Sequence, residues 1–170
     1  MIARRLAGLA TVLVAGLAAC QGGDSNRTDA PDADVPTPQR PPRGQTALEA
    51  WLAEGHYKSW KCETSIFPPR LTGNHGRQRI CANDLLVGST SGRYPVGAAS
   101  VKELFDPADR PNGYAVGLKI EDSEGPQTWY WYERRGTDPR GKPKADGMAL
   151  PDCAVCHQMA ERDYVYVRPM

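Results

Sequence analysis

Apolar and polar residues alternate most clearly in the centre of the chain, where Tyr114, Val116, Leu118 and Ile120 occupy every second position. A period of two is typical of a β-strand with one buried face, so this pattern predicts a strand over residues 114–121. Pro, Gly, Asn and Asp fill the gaps between this segment and its neighbours, as hairpin connections require. The other predicted strands cover residues 77–83, 98–105, 127–134 and 163–167.

Helical signals in the sequence are few and short. The segment TALEAWLAEG joins a Thr46-x-x-Glu49 capping box to a glycine stop at Gly55, which predicts a short helix at the start of the folded domain. The segment ANDLLVGSTSG predicts a brief helix or turn that ends at Gly92. The predicted fold class is therefore α+β, a mostly antiparallel β-sheet with a few short helices.

Residues 1–19 have the layout of a bacterial export signal. Arg4 and Arg5 precede an uncharged apolar run from Leu6 to Ala19, which is shorter than a comfortable membrane span. The run ends in LAAC, which resembles the bacterial lipobox, where the cysteine is lipidated and becomes the mature N-terminus. We therefore expect a lipoprotein signal peptide and a lipid anchor on Cys20, with a plain signal peptide cut near this point as the alternative.

The segment after Cys20 is poor in apolar side chains. Between Gln21 and Gln45, Val35 is the one apolar side chain larger than alanine, proline aside. Such a segment cannot bury enough surface to offset its ordering entropy, so residues 20–45 are expected to be a disordered tether. Residues 46–170 are then one folded domain, long enough to hold a hydrophobic core.

Location and charge narrow the class of partner. The export signal, with glutamine and not aspartate after Cys20, favours a periplasm-facing lipoprotein of the outer membrane. Residues 46–170 carry 16 Lys plus Arg and 16 Asp plus Glu, so the domain is neutral. The domain has no basic run with interleaved aromatic residues, which argues against a nucleic-acid partner.

Cys153, Cys156 and His157 form the pattern C-x-x-C-H, the attachment signature of c-type haem. Two thiols add to the two vinyl groups of haem, and positions i, i+3 and i+4 of a helical turn share one face. His157 then becomes the proximal ligand of the iron. A zinc site would need a second such pair, and a thioredoxin-like redox pair would follow a strand in a βαβ unit. We expect one covalently attached haem c.

Two further cysteines lie 19 positions apart in the same domain. In an exported protein, Cys62 and Cys81 are most simply a structural disulfide that closes a loop of about 20 residues.

The position opposite His157 decides what kind of haem protein this is. Met148 and Met159 lie too close to the motif to reach around the ring, and Met170 is the last residue. We therefore expect an open distal position, which binds small molecules. The alternative is a six-coordinate electron-transfer cytochrome c, closed by a methionine or by one of the two other histidines, His56 and His75.

Several stretches together resemble the cytochrome P-460 and cytochrome c′-beta family: YPVGAASVKELFD, GYAVGLKIED, WYWYERR and the terminal CAVCHQMAERDYVY. The stretch HGRQRICANDLL is similar to a segment of its lipoprotein members, and the resemblance covers about residues 75–167. It implies a β-rich, usually dimeric, periplasmic mono-haem protein with five-coordinate iron. One branch of the family oxidises hydroxylamine and has a bond from a lysine to the haem ring. The other branch binds nitric oxide in an apolar distal pocket.

Lys102, in SVKELF, falls where the cross-linking lysine lies in the hydroxylamine-oxidising branch. Strand alternation puts it on the face of Ser100 and Leu104, where a desolvated amine would be available as a nucleophile. The alternative is a solvated or salt-bridged lysine. Weaker pocket candidates are Phe67 and Phe105 as a distal cap, Glu103 and Glu133 as proton acceptors, and His75 as a distal polar group. In WYWYER, alternation separates Trp129 and Trp131 from Tyr130 and Tyr132, and we expect one of these two aromatic faces to pack on the porphyrin as part of the core.

The sequence thus predicts an exported, lipid-anchored mono-haem protein with open iron. It would bind nitric oxide or oxidise a small nitrogen compound such as hydroxylamine, and electrons would pass to an external redox partner. Two rival hypotheses are the six-coordinate electron carrier and a structural lipoprotein in which the cysteine pairs are only disulfides.

Overall fold

The computed structural model describes residues 39–69 and 75–166, and the predicted signal peptide, Cys20 and most of the tether lie outside these ranges. Within them, the chain forms one six-stranded antiparallel sheet in which each strand pairs with the next along the chain. The α+β class with a mostly antiparallel sheet is confirmed. The strands are β1 (Lys61–Cys62), β2 (Arg77–Ala82), β3 (Ala99–Phe105), β4 (Pro111–Lys119), β5 (Trp129–Arg135) and β6 (Ala145–Met148).

The helices are short and stand at the ends of the sheet segments. Two 3₁₀ turns, His56–Ser59 and Pro126–Thr128, accompany them. No helix in the two described ranges is long and apolar enough to cross a bilayer. The α-helices are α1 (Gln45–Glu54), α2 (Asp84–Gly88) and α3 (Pro151–His157).

A short helix forms where the sequence predicted it, but the predicted capping box at the start of α1 is wrong. The helix begins at Gln45 after an N-cap at Gly44 that has no side-chain cap, so Thr46 lies inside the helix. Glu49 does not close a capping box, because its carboxylate is buried and binds side chains of β5. The predicted stop is confirmed, since Gly55 has φ 74° and its N–H bonds to the last turn.

The predicted strand over 163–167 is also wrong for the part that is described. Residues 163 and 164 form a turn, with φ of 37° at Asp163 and 65° at Tyr164, and residues 165 and 166 belong to no strand. The Asp163 carboxylate binds groups of the sheet and of the segment before β3, which holds the backbone away from the extended conformation.

Residues 39–44 precede the predicted start of the domain and nevertheless contact it. The Gln39 carbonyl accepts a hydrogen bond from Asn83 Nδ2 at 2.9 Å, and the Gly44 N–H donates to the Tyr130 hydroxyl at 2.9 Å. Pro41 is fully buried. The packed unit therefore includes the end of the segment predicted to be tether.

Apolar side chains cover both faces of the sheet. Leu48, Trp51 and Leu52 of α1 pack on one face against Val116 and Leu118, the alternating residues that predicted β4. The strand WYWYER alternates as predicted, with its tyrosines on the α1 face and its tryptophans on the other. On this second face the partners of the tryptophans come from α2 and from the segment around α3.

Cys62 and Cys81 are partners in the register of β1 and β2. Their sulfur atoms lie 2.03 Å apart, so the structure brings the two cysteines to disulfide-bonding distance. The bridge joins β1, the edge strand that follows α1, to its neighbour β2. The strand β1 was not predicted, because a segment of two residues shows no alternation.

Candidate functional site

A cavity of about 420 Å³ lies between the second face of the sheet and α3. This volume falls within the range of roughly 300–1,000 Å³ that is usual for ligand and cofactor pockets. Cys153, Cys156 and His157, the three defined residues of the C-x-x-C-H motif, line this cavity. The sheet contributes Gln78, Ser100, Lys102, Ala115, Gly117, Trp131 and Glu133, among others.

The motif lies on α3, as predicted. Pro151 occupies the first turn, where its missing N–H costs no hydrogen bond, and the Cys153 N–H bonds to the Leu150 carbonyl at 3.1 Å. The helical spacing then directs Cys153, Cys156 and His157 towards the same cavity.

Two small residues, Ser100 and Gly117, lie beside Trp131 in the floor of the cavity. Ser100 of β3, Gly117 of β4 and Trp131 of β5 face each other in the strand register. A Cβ at Gly117 would lie 3.3 Å from Trp131 Cζ3, so this glycine lets the indole approach the backbone of β4 closely. At the rim, Val155 is 60% exposed although it is apolar. A flat apolar group bound on this floor would cover it.

The imidazole of His157 is held in one tautomer. Its Nδ1 lies 2.7 Å from the carbonyl oxygen of Tyr164. A carbonyl only accepts hydrogen bonds, so Nδ1 carries a proton, and in the neutral ring the lone pair is then on Nε2. This is the arrangement that metal-ligating histidines use, with Nδ1 bound to a second group and Nε2 directed to the metal. The Trp131 ring packs beside it, with centroids 4.4 Å apart.

Glu133 places a carboxylate in the cavity wall. It is 4% exposed, and Arg135 Nε at 2.8 Å and Lys144 Nζ at 3.7 Å are its cationic partners. Burial raises the pKa of Glu133, but its interaction with the nearby His75, the hydrogen bond from Arg135 and the charge of Lys144 outweigh burial and lower this pKa below its usual range. The carboxylate is therefore ionised at neutral pH.

His75 lies in the same cavity. Its Nδ1 is 3.4 Å from Glu133 Oε2, which is an ion-pair distance, but within the described ranges this buried nitrogen makes no hydrogen bond of good geometry. Burial, with some help from the charges of Lys102 and Arg135, lowers the pKa of His75. The ring centroids of His75 and His157 are 6.2 Å apart.

The donor set and the shape of the cavity fit a covalently bound haem. Cys153, Cys156 and His157 face the floor that contains Ser100 and Gly117. The Nδ1 of His157 is bound to the Tyr164 carbonyl, which leaves Nε2 as the nitrogen for a metal. Trp131 Nε1 and His75 Nδ1 are buried and lack hydrogen-bond partners among the described residues, so a group with polar edges could satisfy them.

Lys102 lines the cavity together with Ser100, on the face that strand alternation predicts. Leu104, placed on the same face by alternation, is buried but does not line it, because the pairing of β3 with β4 is irregular between Glu103 and Phe105.

Several candidates lie elsewhere. Glu103 binds the Tyr57 hydroxyl at 2.8 Å and Arg79 Nε at 2.6 Å, since alternation puts it on the opposite face from Lys102. Phe67 and Phe105 are not among the residues that line the cavity, so the structure does not support them as a distal cap.

The other candidates for a second axial ligand are distant too. Met148 and Met159 are 41% and 67% exposed and do not line the cavity. His56 pairs with Glu54 at 2.6 Å beside α1. Met170 lies outside the described residues.

The two rival roles for the cysteine pair find less support here. Burial, followed by the charge of Glu133, raises the pKa of Cys153 to about 11, whereas a redox-active C-x-x-C pair depends on a lowered pKa. Within residues 39–69 and 75–166, no group of three or more His, Cys, Asp or Glu side chains converges in the way that a structural zinc site requires.

Sequence reasoning missed Lys119 and Asp163, which lie just behind this site. A lysine inside the apolar run AVGLKI, on the face of Ala115 and Gly117, was a usable signal, since lysine is almost never fully buried unless paired.

No protein-family model, no curated protein and no solved structure matches this chain. The resemblance to the cytochrome P-460 and cytochrome c′-beta family remains a prediction from the stretches quoted above.

Proposed function

We propose that this protein is an exported mono-haem c-type cytochrome with an open distal position. In this proposal it binds nitric oxide or oxidises a small nitrogen compound such as hydroxylamine. The main support is one observation: the two cysteines of the motif share one cavity with the imidazole of His157, whose Nδ1 is bound to the Tyr164 carbonyl.

In the proposed site, the Cys153 and Cys156 sulfurs would hold the haem through thioethers and His157 Nε2 would ligate its iron. The bound haem would supply a redox-active metal and a coordination position for the nitrogen ligand. The chain supplies orientation through the Tyr164 carbonyl and an apolar wall through Trp131.

His75 and Glu133 would handle protons. His75, with its lowered pKa, is neutral at neutral pH and can accept a proton from a bound nitrogen compound. The Glu133 carboxylate, 3.4 Å from His75 Nδ1, would stabilise the resulting cation.

Lys102 decides between the two branches of the resembled family. Its position in the cavity wall supports the proposal that it reaches the haem ring. A covalent bond would favour hydroxylamine oxidation, and its absence would favour nitric oxide binding.

The setting of the site is part of the proposal. Lipidated Cys20 would anchor the protein to the membrane, facing the periplasm, through the tether that precedes residue 46. A redox partner would receive the electrons, and the resemblance implies a homodimer.

One observation favours the second candidate, a six-coordinate electron carrier. The 6.2 Å separation of the His75 and His157 ring centroids is close to the span of two imidazoles on one metal, given about 2 Å for each iron–nitrogen bond. In that case His75 would be the second axial ligand.

The optical spectrum of the purified protein separates these candidates. The open site predicts a five-coordinate spectrum that changes on addition of carbon monoxide or nitric oxide, and a strongly red-shifted ferrous Soret band would report the Lys102 bond. The closed site predicts a low-spin spectrum that His75→Ala converts to high spin. A colourless protein with no haem stain on a denaturing gel, after expression with the maturation machinery, would leave the structural lipoprotein as the better account.

A further inference from the structure

We infer that the buried ion pair between Lys119 and Asp163 orients the proximal imidazole of His157. Both are positioning residues, since neither lines the cavity. The inference rests on the proposed function, because it concerns the histidine that would hold the haem iron.

The ion pair is fully enclosed. Lys119 Nζ lies 3.0 and 2.9 Å from the two carboxylate oxygens of Asp163, and the two side chains are 0% and 6% exposed. The ammonium also donates to the Ser123 carbonyl at 3.0 Å and to Thr128 Oγ1 at 2.9 Å. A lysine with this many acceptors holds the groups that it binds in fixed positions.

Asp163 also accepts hydrogen bonds from other parts of the domain. The Tyr94 N–H donates to it at 2.9 Å, and Trp129 Nε1 donates at 3.3 Å. These contacts hold Asp163 and Tyr164 at positive φ, where residues other than glycine need support from their surroundings.

The held turn presents the acceptor for His157. The Tyr164 carbonyl, one residue after Asp163, accepts the hydrogen bond from His157 Nδ1 at 2.7 Å. The direction of this carbonyl depends on the backbone angles of the turn, so the chain of contacts runs from Lys119 through Asp163 and the turn to the imidazole. Lys119 and Asp163, the two charged residues of this chain of contacts, lie 44 residues apart in sequence.

Loss of the Lys119–Asp163 ion pair would weaken the hydrogen bond from His157 Nδ1 and so change the reduction potential of the iron. The hydrogen bond from Nδ1 to a carbonyl raises the basicity of a ligating imidazole, which favours the oxidised metal. If the turn relaxes, this bond lengthens. The reduction potential then rises, and the iron–imidazole stretching frequency of the reduced protein falls.

Asp163→Asn and Lys119→Met in the mature haem-bearing protein test the inference, with Lys119→Arg as the conservative variant. The matched control is Glu49→Gln, which breaks the buried pair of Glu49 with Arg134 on the α1 face of the sheet, away from His157. If a single variant does not fold, the double variant Lys119→Met/Asp163→Asn removes both charges and avoids a buried unpaired ion.

The inference expects a higher reduction potential and a downshifted iron–imidazole band in the Asp163 and Lys119 variants. Lys119→Arg should keep the reduction potential and the iron–imidazole band close to the wild-type values. Glu49→Gln should leave both quantities at the wild-type values, although it lowers stability. Wild-type values in Asp163→Asn and Lys119→Met, or in the double variant, overturn the inference. A wild-type protein without haem overturns the proposed function instead, so the two failures are distinguishable.

Discussion

Glu49 of α1 binds Arg134 of β5 through two contacts, Nε to Oε1 at 2.5 Å and Nη2 to Oε2 at 3.0 Å. Both side chains are buried, at 7% and 3% exposure. Removal of one partner of such a pair leaves an uncompensated charge in the core, so Glu49→Gln should lower the free energy of unfolding by about 3 kcal/mol.

Chemical denaturation of the purified variants measures this loss. Tyr132→Phe is the milder comparison, because it deletes only the hydroxyl that donates to Glu49 at 2.5 Å and should cost about 1 kcal/mol. Equal stability of Glu49→Gln and the wild type would contradict the role assigned to this pair.

The Cys62–Cys81 bridge should contribute about 3 kcal/mol, since it closes a loop with a sequence separation of 19 residues. The double variant Cys62→Ala/Cys81→Ala should therefore unfold at lower denaturant concentration than the wild type. Peptide mapping under non-reducing conditions should recover the two cysteines in one linked fragment. Separate fragments would show that the bridge does not form.

Glu133 should make stability dependent on acid pH. Burial raises the pKa of Glu133, but its interaction with the nearby His75 and the hydrogen bond from Arg135 outweigh burial and lower this pKa from the ordinary value to about 2. The ionised carboxylate therefore stabilises the fold above its unfolded pKa of about 4.3, and this contribution is lost as pH falls through the folded pKa.

The expected loss between about pH 4.5 and pH 2 is of the order of 2–3 kcal/mol. Stability curves of the wild type and Glu133→Gln should converge towards low pH, whereas the exposed Glu121→Gln should follow the wild type throughout. Curves that stay parallel for Glu133→Gln would contradict the lowered pKa.

Gly117 should be needed for the shape of the cavity. In Gly117→Ala the new methyl group would lie 3.3 Å from Trp131, so the indole must shift, at a cost of about 1–3 kcal/mol. Because Trp131 packs on His157, the absorption spectrum of the haem should change as well.

Gly88→Ala is the control, since a Cβ there meets nothing within 4 Å. It should leave both stability and spectrum close to the wild type. A spectrum of Gly117→Ala identical to that of the wild type would place the haem away from this floor.

The central strands were predictable because each one carries its own pattern. Alternation at residues 114–121 predicted a strand that the structure has at Pro111–Lys119. By contrast, β6 is four residues with an Asp and a Gly, and it forms because β5 offers it an edge. The segment at 163–166 has strand-like composition, but the contacts of Asp163 override it.

The site shows the same division between local and long-range signals. The C-x-x-C-H motif lies within five positions, so its helical turn could be predicted directly, while its haem chemistry remains a prediction. The partnership of Lys119 with Asp163, and that of His75 with Glu133, join residues far apart in sequence. Nothing local to either residue specifies the other, so only the folded sheet brings them together.

Mass spectrometry of tryptic peptides tests the central claim most directly. The sample is the mature protein, purified after export with the cytochrome c maturation machinery. The account predicts a gain of one haem on the tryptic peptide that contains Cys153 and Cys156, which the variant Cys153→Ala/Cys156→Ala loses. An unmodified peptide in the wild type would contradict it.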